Sequence, residues 1–192
     1  MFDNYFIVDI EVAPIETVGY NELDEEQKLK LLNPIDSKII ALGIRFNREN
    51  KIFYAGSERE IIESFWKEWA SIKQKVNLVH VVGFNINNFD LPFITTRSLI
   101  NKVVISPFTL KYIIDLREKI NAYRYGKSRG KLKELALLLN LPVKEIDGSD
   151  IGRLYIEGRL NDIKEYLEND LEITDEIFKR AKETKILEIS KW

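Results

Sequence analysis

Four acidic residues at three separate places in the sequence, Asp9 with Glu11, Asp90 and Asp170, are the candidates for chemistry. Asp9 and Glu11 interrupt the apolar run YFIVDIEVAP, where burial of an unpaired charge is costly. Alternate residues of a β-strand project to one face, so we expect the two carboxylates to point together, about 6–7 Å apart. The pair fits two solvated acids at a strand end, or two ligands of a divalent cation such as Mg²⁺, which prefers carboxylate oxygens.

Asp170 departs from the pattern of the segment 160–181, which has helical periodicity. At about 100° per residue, the apolar residues form one broad face and most acids lie opposite. The predicted apolar face contains Ile163, Leu167, Leu171, Thr174, Ile177, Phe178 and Ala181, and the predicted polar face contains Lys164, Glu165, Glu168, Glu172, Asp175 and Glu176. Asp170 falls inside the apolar face, one turn after Tyr166. We therefore expect the phenol and this carboxylate to point toward the core.

Asp90 follows a polar loop in the stretch GFNINNFDLPF. We expect Asn87 or Asn88 to cap the helix that follows, which places Asp90 in its first turn, where an acid also interacts favourably with the helix dipole. Asn85 lies just beyond a predicted strand, a common position for substrate contacts. Phe89 is a second candidate contact, although it also fits a core position.

The composition excludes several other kinds of site. The 192 residues include no cysteine and one histidine, His80, which excludes thiol nucleophiles and disfavours zinc centres. His80 lies in the apolar run VNLVHVVGF and is expected to pack in a strand. No apolar run approaches the roughly 18 residues of a membrane span, and no signal peptide precedes the first strand. We expect a soluble, cytoplasmic protein with no membrane association.

A net charge of −2 gives no overall basic field, so binding of nucleic acid requires a local patch. The best candidate is YRYGKSRGKLK, residues 123–133, in which basic residues and tyrosines alternate and no acid occurs. Arg124, Lys127 and Arg129 are candidate phosphate contacts there. A solvated surface loop is the alternative interpretation. Asp115, an acid in the apolar stretch YIIDLRE, is expected to have a structural role.

The elements that must position these residues show no repeat and no Pro/Gly/Ser linker. Strands are predicted at 5–12, 38–46, 51–55, 76–84 and 111–117, with a hairpin across NREN, and helices at 21–33, 57–75, the low 90s, 131–140, 150–158 and 161–182. The first strand has an apolar second face, so it should be central and covered on both sides. The order predicts a single α/β domain over residues 1–192, with a mixed β-sheet flanked by α-helices.

Taken together, these motifs resemble the DEDD exonucleases of the ribonuclease-H-like fold. The resemblance rests on Asp9-x-Glu11, on FNINNFDLPF with Asp90, and on YLEND, in which Tyr166 precedes Asp170 by four residues. The Tyr-x-x-x-Asp spacing is typical of the tyrosine (DEDDy) subgroup. GFNINNFDLPF is most similar to the proofreading exonuclease domain of family B DNA polymerases and its stand-alone relatives. The likeness spans about residues 3–182 and leaves no room for a polymerase domain.

The resemblance implies that Asp9, Glu11, Asp90 and Asp170 hold two Mg²⁺ or Mn²⁺ ions. It implies removal of nucleoside 5′-monophosphates from the 3′ end of a single strand, with DNA favoured over RNA. Two such ions roughly 3.5–4 Å apart can activate water and stabilise both the phosphate and the leaving oxygen, and Tyr166 is expected to orient the water. The main alternative is a non-catalytic nucleic-acid-binding or scaffold module on the same fold; an endonuclease or another metallophosphoesterase is a third possibility. No protein partner in replication or repair can be identified from the sequence.

Overall fold

The computed structural model describes residues 2–76, 78–124 and 130–191. The elements in chain order are β1 (Tyr5–Pro14), α1 (Glu25–Lys30), β2 (Ser37–Phe46), β3 (Glu49–Phe53), α2 (Glu58–Lys75), β4 (His80–Gly83), α3 (Asp90–Ile100), β5 (Ile113–Asp115), α4 (Leu116–Ile120), α5 (Leu132–Leu138), α6 (Ile151–Ile156) and α7 (Leu160–Glu183). The strand order within these residues is β3-β2-β1-β4-β5. β2 pairs antiparallel with β1 and β3, whereas β1, β4 and β5 are parallel. The predicted mixed sheet flanked by helices is confirmed.

β1 is the central strand, and its alternating side chains enter two different cores. Phe6, Val8 and Ile10 pack in a cluster with residues of α2 and α3. Ile7 and Ala13 pack on the opposite face, in clusters with residues of α5, α6 and α7. Because side chains alternate along a strand, Asp9 and Glu11 lie on the α7 side. The prediction of a central strand covered on both faces is confirmed.

The helix predicted at 21–33 is wrong in extent. A single 3-10 turn covers Tyr20–Glu22, and α1 begins only after Asp24. The Asp24 carboxylate accepts from the Gln27 backbone N–H at 2.8 Å, while the Gln27 side chain accepts from the Asp24 N–H at 3.0 Å. This capping box fixes a helix start that the sequence reading missed. The connection from β1 to β2 is therefore largely irregular.

The other strand boundaries differ where turns and caps intervene. Asn47 and Arg48 both have positive φ, 51° and 68°, so β2 and β3 are joined by a two-residue hairpin turn that takes only half of NREN. β4 is shorter than predicted because its pairing begins opposite Tyr5, where β1 also begins. β5 ends at Asp115 because that residue caps α4.

The amphipathic prediction for α7 is confirmed on its apolar side, where all seven predicted residues are buried. The prediction for Asp175 is wrong. It was placed on the polar face, but it is only 3% exposed. Its carboxylate accepts from Tyr5 Oη at 2.7 Å and pairs with Arg45 and Lys179, each at 3.0 Å. No helix formed by the described residues combines the length and apolarity needed to cross a membrane.

Candidate active site

β1 supplies two carboxylates to one side of the sheet. Asp9 is half-buried and Glu11 is buried. The register against β2 shifts after Glu11, which pairs with Ala41, while Val12 pairs with Ile39. Ile40 is thus an extra residue in β2, and such a bulge increases local twist. The irregularity lies directly beside Glu11, and no sequence signal indicated it.

α7 approaches the sheet closely enough to bring Asp170 to these acids because Gly43 has no side chain. Gly43 pairs with Asp9 across β1 and β2. A Cβ there would lie 2.7 Å from Leu171 Cδ1 and 3.2 Å from Leu167 Cγ. Possible ligand oxygens of Asp9, Glu11 and Asp170 all lie within 4.8 Å of one another. The prediction that Asp170 faces inward is confirmed.

Asp90 is the first residue of α3 and is 3% exposed. The predicted cap is wrong, because Phe89 occupies the N-cap position and no side chain caps the helix. Asn87 Nδ2 instead donates to Glu118 Oε2 at 2.9 Å, and Asn88 Nδ2 donates to Asn85 Oδ1 within the loop at 3.4 Å. Asp90 therefore follows a loop whose asparagine side chains bond to other residues instead of capping α3.

Asp115 holds that loop in place, which agrees with its expected structural role. Its buried carboxylate accepts from the backbone N–H groups of Asn85 at 3.0 Å and Asn87 at 3.1 Å. It also accepts from the Arg117 and Glu118 N–H groups at the start of α4. Asn85 has φ 67°, a left-handed conformation that asparagine tolerates better than most residues. Asp115 thus positions the polypeptide that leads into Asp90.

Burial disfavours ionisation of all four acids, and neighbouring site acids add to this at Asp9 and Glu11. Burial, reinforced by the charges of Asp90, Asp170 and Glu11, raises the pKa of Asp9 well above its usual range. Burial and the charges of Asp170 and Asp90 do the same for the pKa of Glu11. Burial raises the pKa of Asp90 to about 7 even though a hydrogen bond with Asp9 favours its ionised form. Burial likewise raises the pKa of Asp170 to about 7.

This donor set fits hard divalent cations. Every candidate ligand is a carboxylate, the ligand type that Mg²⁺ and Mn²⁺ prefer. Asp90 Oδ1 is buried and has no hydrogen-bond partner among the described residues, an unusual condition for a buried acceptor. Like charges at this separation favour protonation unless positive charge is supplied. Bound cations would offset the repulsion between the carboxylates and give Asp90 Oδ1 a partner.

Tyr166 lies beside the acids on α7 and is nearly buried, at 9% exposure. Its pKa is raised by burial and by the charges of Asp170, Glu11 and Asp9, so the phenol is neutral at physiological pH. A hydrogen bond with Tyr166 favours the ionised form of Asp170. A Cβ on Gly148 would lie 3.5 Å from Tyr166 Oη, so the 3-10 turn Gly148–Asp150 lies beside the hydroxyl.

Lys133 is a residue of the site that sequence reasoning did not select, although it lay within the basic patch. Its Nζ donates to the backbone carbonyls of Glu145 at 3.1 Å and Ile146 at 2.9 Å. Its charge lowers the pKa of Asp170. The spacing of α5 alone could not show this, because the carbonyls that hold the ammonium group come from a distant loop.

The other predicted site residues belong to the basic patch and to the loop before α3. Arg124 is exposed, and Lys127 and Arg129 lie outside the described residues, as does Trp192. Asn85 and Phe89 are half-buried in the loop before α3. Their roles as substrate contacts stay predictions.

His80 packs as expected of a strand residue. Its ring meets Phe2 edge-on with centroids 5.1 Å apart, and burial lowers its pKa. His80 pairs with Tyr5 at the start of β1, about 13 Å along the strand from Asp9 by strand rise. It is therefore too far away to act on the same phosphate.

Comparisons with known proteins agree with this architecture. A family model described as the RNase_H superfamily matches residues 25–182; the match includes Asp90 and Asp170 but begins after Asp9 and Glu11. An uncharacterised protein of Methanocaldococcus jannaschii is 32% identical over 163 residues, which are 77% of this chain and 88% of the relative. The family B DNA polymerase of the hyperthermophilic archaeon Pyrobaculum calidifontis has a TM-score of 0.67 and 16% identity, over 92% of this chain and 24% of the polymerase. The likeness to the polymerase is one of fold, over about a quarter of its length.

Proposed function

The chain belongs to the RNase H superfamily, and on that premise we propose that it is a single-domain, two-metal-ion-dependent 3′–5′ exonuclease. Its substrate is single-stranded nucleic acid, DNA in preference to RNA, and its products are nucleoside 5′-monophosphates. The observation that carries the proposal is that carboxylates of β1 and α7 lie within 4.8 Å of one another beside a neutral tyrosine, with Asp90 of α3 hydrogen-bonded to Asp9. The order and spacing of the three motifs, which resemble the tyrosine subgroup of DEDD exonucleases, support the polarity and the products.

Asp9, Glu11, Asp90 and Asp170 would hold the two ions, Mg²⁺ or Mn²⁺. When bound, such ions neutralise charge on the phosphate and leaving oxygen and lower the pKa of the attacking water. The Tyr166 hydroxyl, which is hydrogen-bonded to Asp170 and lies near Gly148, orients that water. It contributes by position, because its raised pKa makes it a poor base.

Two further groups fix this arrangement. Asp115 anchors the loop that leads into Asp90, and small displacements of catalytic groups cost rate steeply. Lys133 keeps one positive charge near Asp170. A single lysine cannot offset four carboxylates, which is why the site requires divalent cations.

The test is a 5′-labelled single strand incubated with Mg²⁺ or Mn²⁺, in matched DNA and RNA forms. We expect a ladder that shortens from the 3′ end, is abolished by EDTA and by Asp170→Asn, and survives Glu183→Gln. Glu183 is exposed near the end of the same helix, so the control makes the same charge change away from the site. An intact strand at high enzyme concentration would favour the non-catalytic module, and cleavage of a circular strand would indicate an endonuclease.

A further inference from the structure

A cavity of about 150 Å³ lies between the C-terminal half of α2 and the connection from α3 to β5. We call it the α2 pocket, and its apolar lining consists of Trp69, Val76, Leu78, Val79, Phe108 and Ile113. An apolar cavity of about 150 Å³ is large enough to hold a benzene ring. The α2 pocket therefore has room for one phenylalanine or leucine side chain.

The α2 pocket lies on the opposite face of the sheet from the acid cluster. Trp69 packs edge-on against Phe6 of β1, with ring centroids 5.0 Å apart, and both belong to the core on the α2 side. Asp9 and Glu11 project from β1 toward α7 instead. A ligand in the α2 pocket would therefore leave the acids accessible to a substrate.

The exposed part of the α2 pocket is aliphatic. Leu78 in the lining is 47% exposed, and Leu110 on the adjoining connection is 70% exposed. Trp69 is fully buried, whereas Phe108 and Tyr112 are half-buried. Clustered exposed apolar side chains mark interaction surfaces. Bases of a nucleic acid stack on exposed aromatic rings, so this aliphatic surface is better suited to a protein partner.

The two stretches that form the α2 pocket contain basic but no acidic side chains. Residues 69–82 and 102–114 include four lysines and no Asp or Glu, in a chain whose net charge is −2. The four are Lys73, Lys75, Lys102 and Lys111, and all are exposed. Lys73 Nζ donates to the Pro107 carbonyl at 2.6 Å. The lysine salt bridges formed by the described residues all involve other lysines.

The acids of α2 do not neutralise this positive charge. Its four glutamates are bonded to other groups: Glu58 to Arg97, Glu60 to Ser57, Glu63 to Arg59 and Glu68 to Lys51. The lysines around the α2 pocket are thus available to carboxylates of a partner. Complementary charge of this kind steers a partner toward an interface and selects against partners of the same sign.

We propose that the α2 pocket binds a short acidic segment of a protein partner. One phenylalanine or leucine side chain of that segment occupies the cavity, and neighbouring Asp and Glu residues contact the lysines. The indole N–H of Trp69 is buried without a hydrogen-bond partner among the described residues, and the bound segment brings acceptors to this wall. The contact would attach the protein to its partner while the acids on the other face stay open, and it does not depend on the proposed exonuclease function.

The first test selects binders from random peptides displayed on phage. Phage that bind Leu78→Glu are removed, and the remainder are selected on the wild-type chain. Leu78→Glu places a negative charge at a side chain that is already 47% exposed, and thermal unfolding checks that the variant is folded. If it is not, Lys75→Glu/Lys111→Glu takes its place. We expect the peptides specific for wild type to contain Phe or Leu among several Asp and Glu residues.

The second test measures the affinity of a selected peptide by fluorescence anisotropy. Replacement of its Phe or Leu by Ala should weaken binding by about 30-fold, as for an interface hot spot. Lys75→Glu/Lys111→Glu should weaken binding by about tenfold at low salt and reduce its salt dependence. The controls are Leu138→Glu, at a side chain of α5 that is 80% exposed, and Arg180→Glu/Lys185→Glu, at exposed residues near the end of α7. Both should bind the peptide as wild type does.

Several outcomes would overturn the proposal. One is the absence of any wild-type-specific peptide of this composition, and another is a selected peptide whose affinity is the same in Leu78→Glu, Lys75→Glu/Lys111→Glu and wild type. Self-association of wild type that Leu78→Glu abolishes in sedimentation would make the pocket an interface between copies of the chain. Weaker binding of a labelled single strand to Lys75→Glu/Lys111→Glu in EDTA would make it a nucleic-acid surface.

Discussion

Gly43→Ala should separate α7 from the acids of β1 without touching any acid. The added Cβ would lie 2.7 Å from Leu171 Cδ1 and 3.2 Å from both Leu167 Cγ and Ile52 Cδ1. Relief to an ordinary contact near 3.7 Å requires a displacement of about 1 Å. Overpacking of this kind costs about 1–3 kcal/mol. For a chain of this size, that corresponds to a fall in Tm of roughly 2–12 °C.

The functional loss should exceed the loss of stability. A misplacement of about 1 Å at a catalytic site can reduce the rate by about 10²-fold, and α7 carries both Asp170 and Tyr166. Binding of Mn²⁺ to the folded state raises stability by about 2.7 kcal/mol when its concentration is 100 times Kd. We expect this metal-dependent rise in Tm to be smaller in Gly43→Ala than in wild type.

The assays are thermal unfolding with EDTA or Mn²⁺, and strand cleavage well below Tm. Gly43→Ala/Leu171→Val removes the closest clashing methyl group and should recover much of the activity. Ile72→Val, fully buried on α2 at the other face of the sheet, costs about 0.5–1.5 kcal/mol and should keep full activity. If Gly43→Ala lowers Tm but retains wild-type activity and metal response, α7 does not depend on this close approach to position Asp170.

Three other changes test separate parts of the site. Tyr166→Phe should reduce kcat by up to about 10²-fold while the Mn²⁺-dependent rise in Tm survives; loss of that rise would make Tyr166 part of the metal site. Asp115→Asn leaves some of the four backbone N–H groups that Asp115 accepts from without an acceptor. It should lower the free energy of unfolding by about 1–3 kcal/mol and weaken metal binding by displacing Asp90. Unchanged metal binding would mean that other contacts of the loop hold Asp90 in place. Without metal, the pKa values of Asp90 and Asp170 are both about 7 in the folded state, above those of the unfolded chain. The folded state therefore binds more protons than the unfolded chain between about pH 4 and 7. The contribution of these two acids to stability is complete below about pH 4 and is lost as pH rises through 7. Tm in EDTA should therefore fall between pH 5 and 8, less steeply in Asp170→Asn and in Mn²⁺, and a flat wild-type profile would contradict the raised values.

Local periodicity was sufficient to predict where a side chain points when a single strand or helix determines its direction. The two-residue period of β1 placed Asp9 and Glu11 on one face. The 3.6-residue period of α7 placed Asp170 and Tyr166 among its apolar residues. Each prediction required only that the element exist and bury its apolar side, and both conditions hold.

Predictions failed where contacts distant in sequence decide the outcome. Asp175 follows the polar face by angle, but Arg45 and Tyr5 reach it across 130 and 170 residues and make its burial possible. Asn87 is a good cap by residue type, yet Glu118 and Asp115 engage its side chain and backbone. The bulge at Ile40 and the approach over Gly43 also depend on the paired strand and the packed helix.

Two acids on α7 show what the site requires. Asp175 and Asp170 are five residues apart, Asp175 is buried and Asp170 is half-buried, and each has a tyrosine hydroxyl nearby. Asp175 also has Arg45 and Lys179 at 3.0 Å, and although burial opposes its ionisation, its net pKa is lowered by Tyr5, Arg45 and Lys179.

Burial raises the pKa of Asp170, and the only cationic side chain that opposes this among the described residues is Lys133. Both acids lie on the same helix and each bonds to a tyrosine, so the difference between their pKa values lies in the positive charge near each one. The same shortage extends to Asp9, Glu11 and Asp90, whose pKa values are raised by burial and by neighbouring acids. Protein side chains stabilise the ionised form of Asp175, whereas bound divalent cations would have to do so for Asp170 and the acids around it.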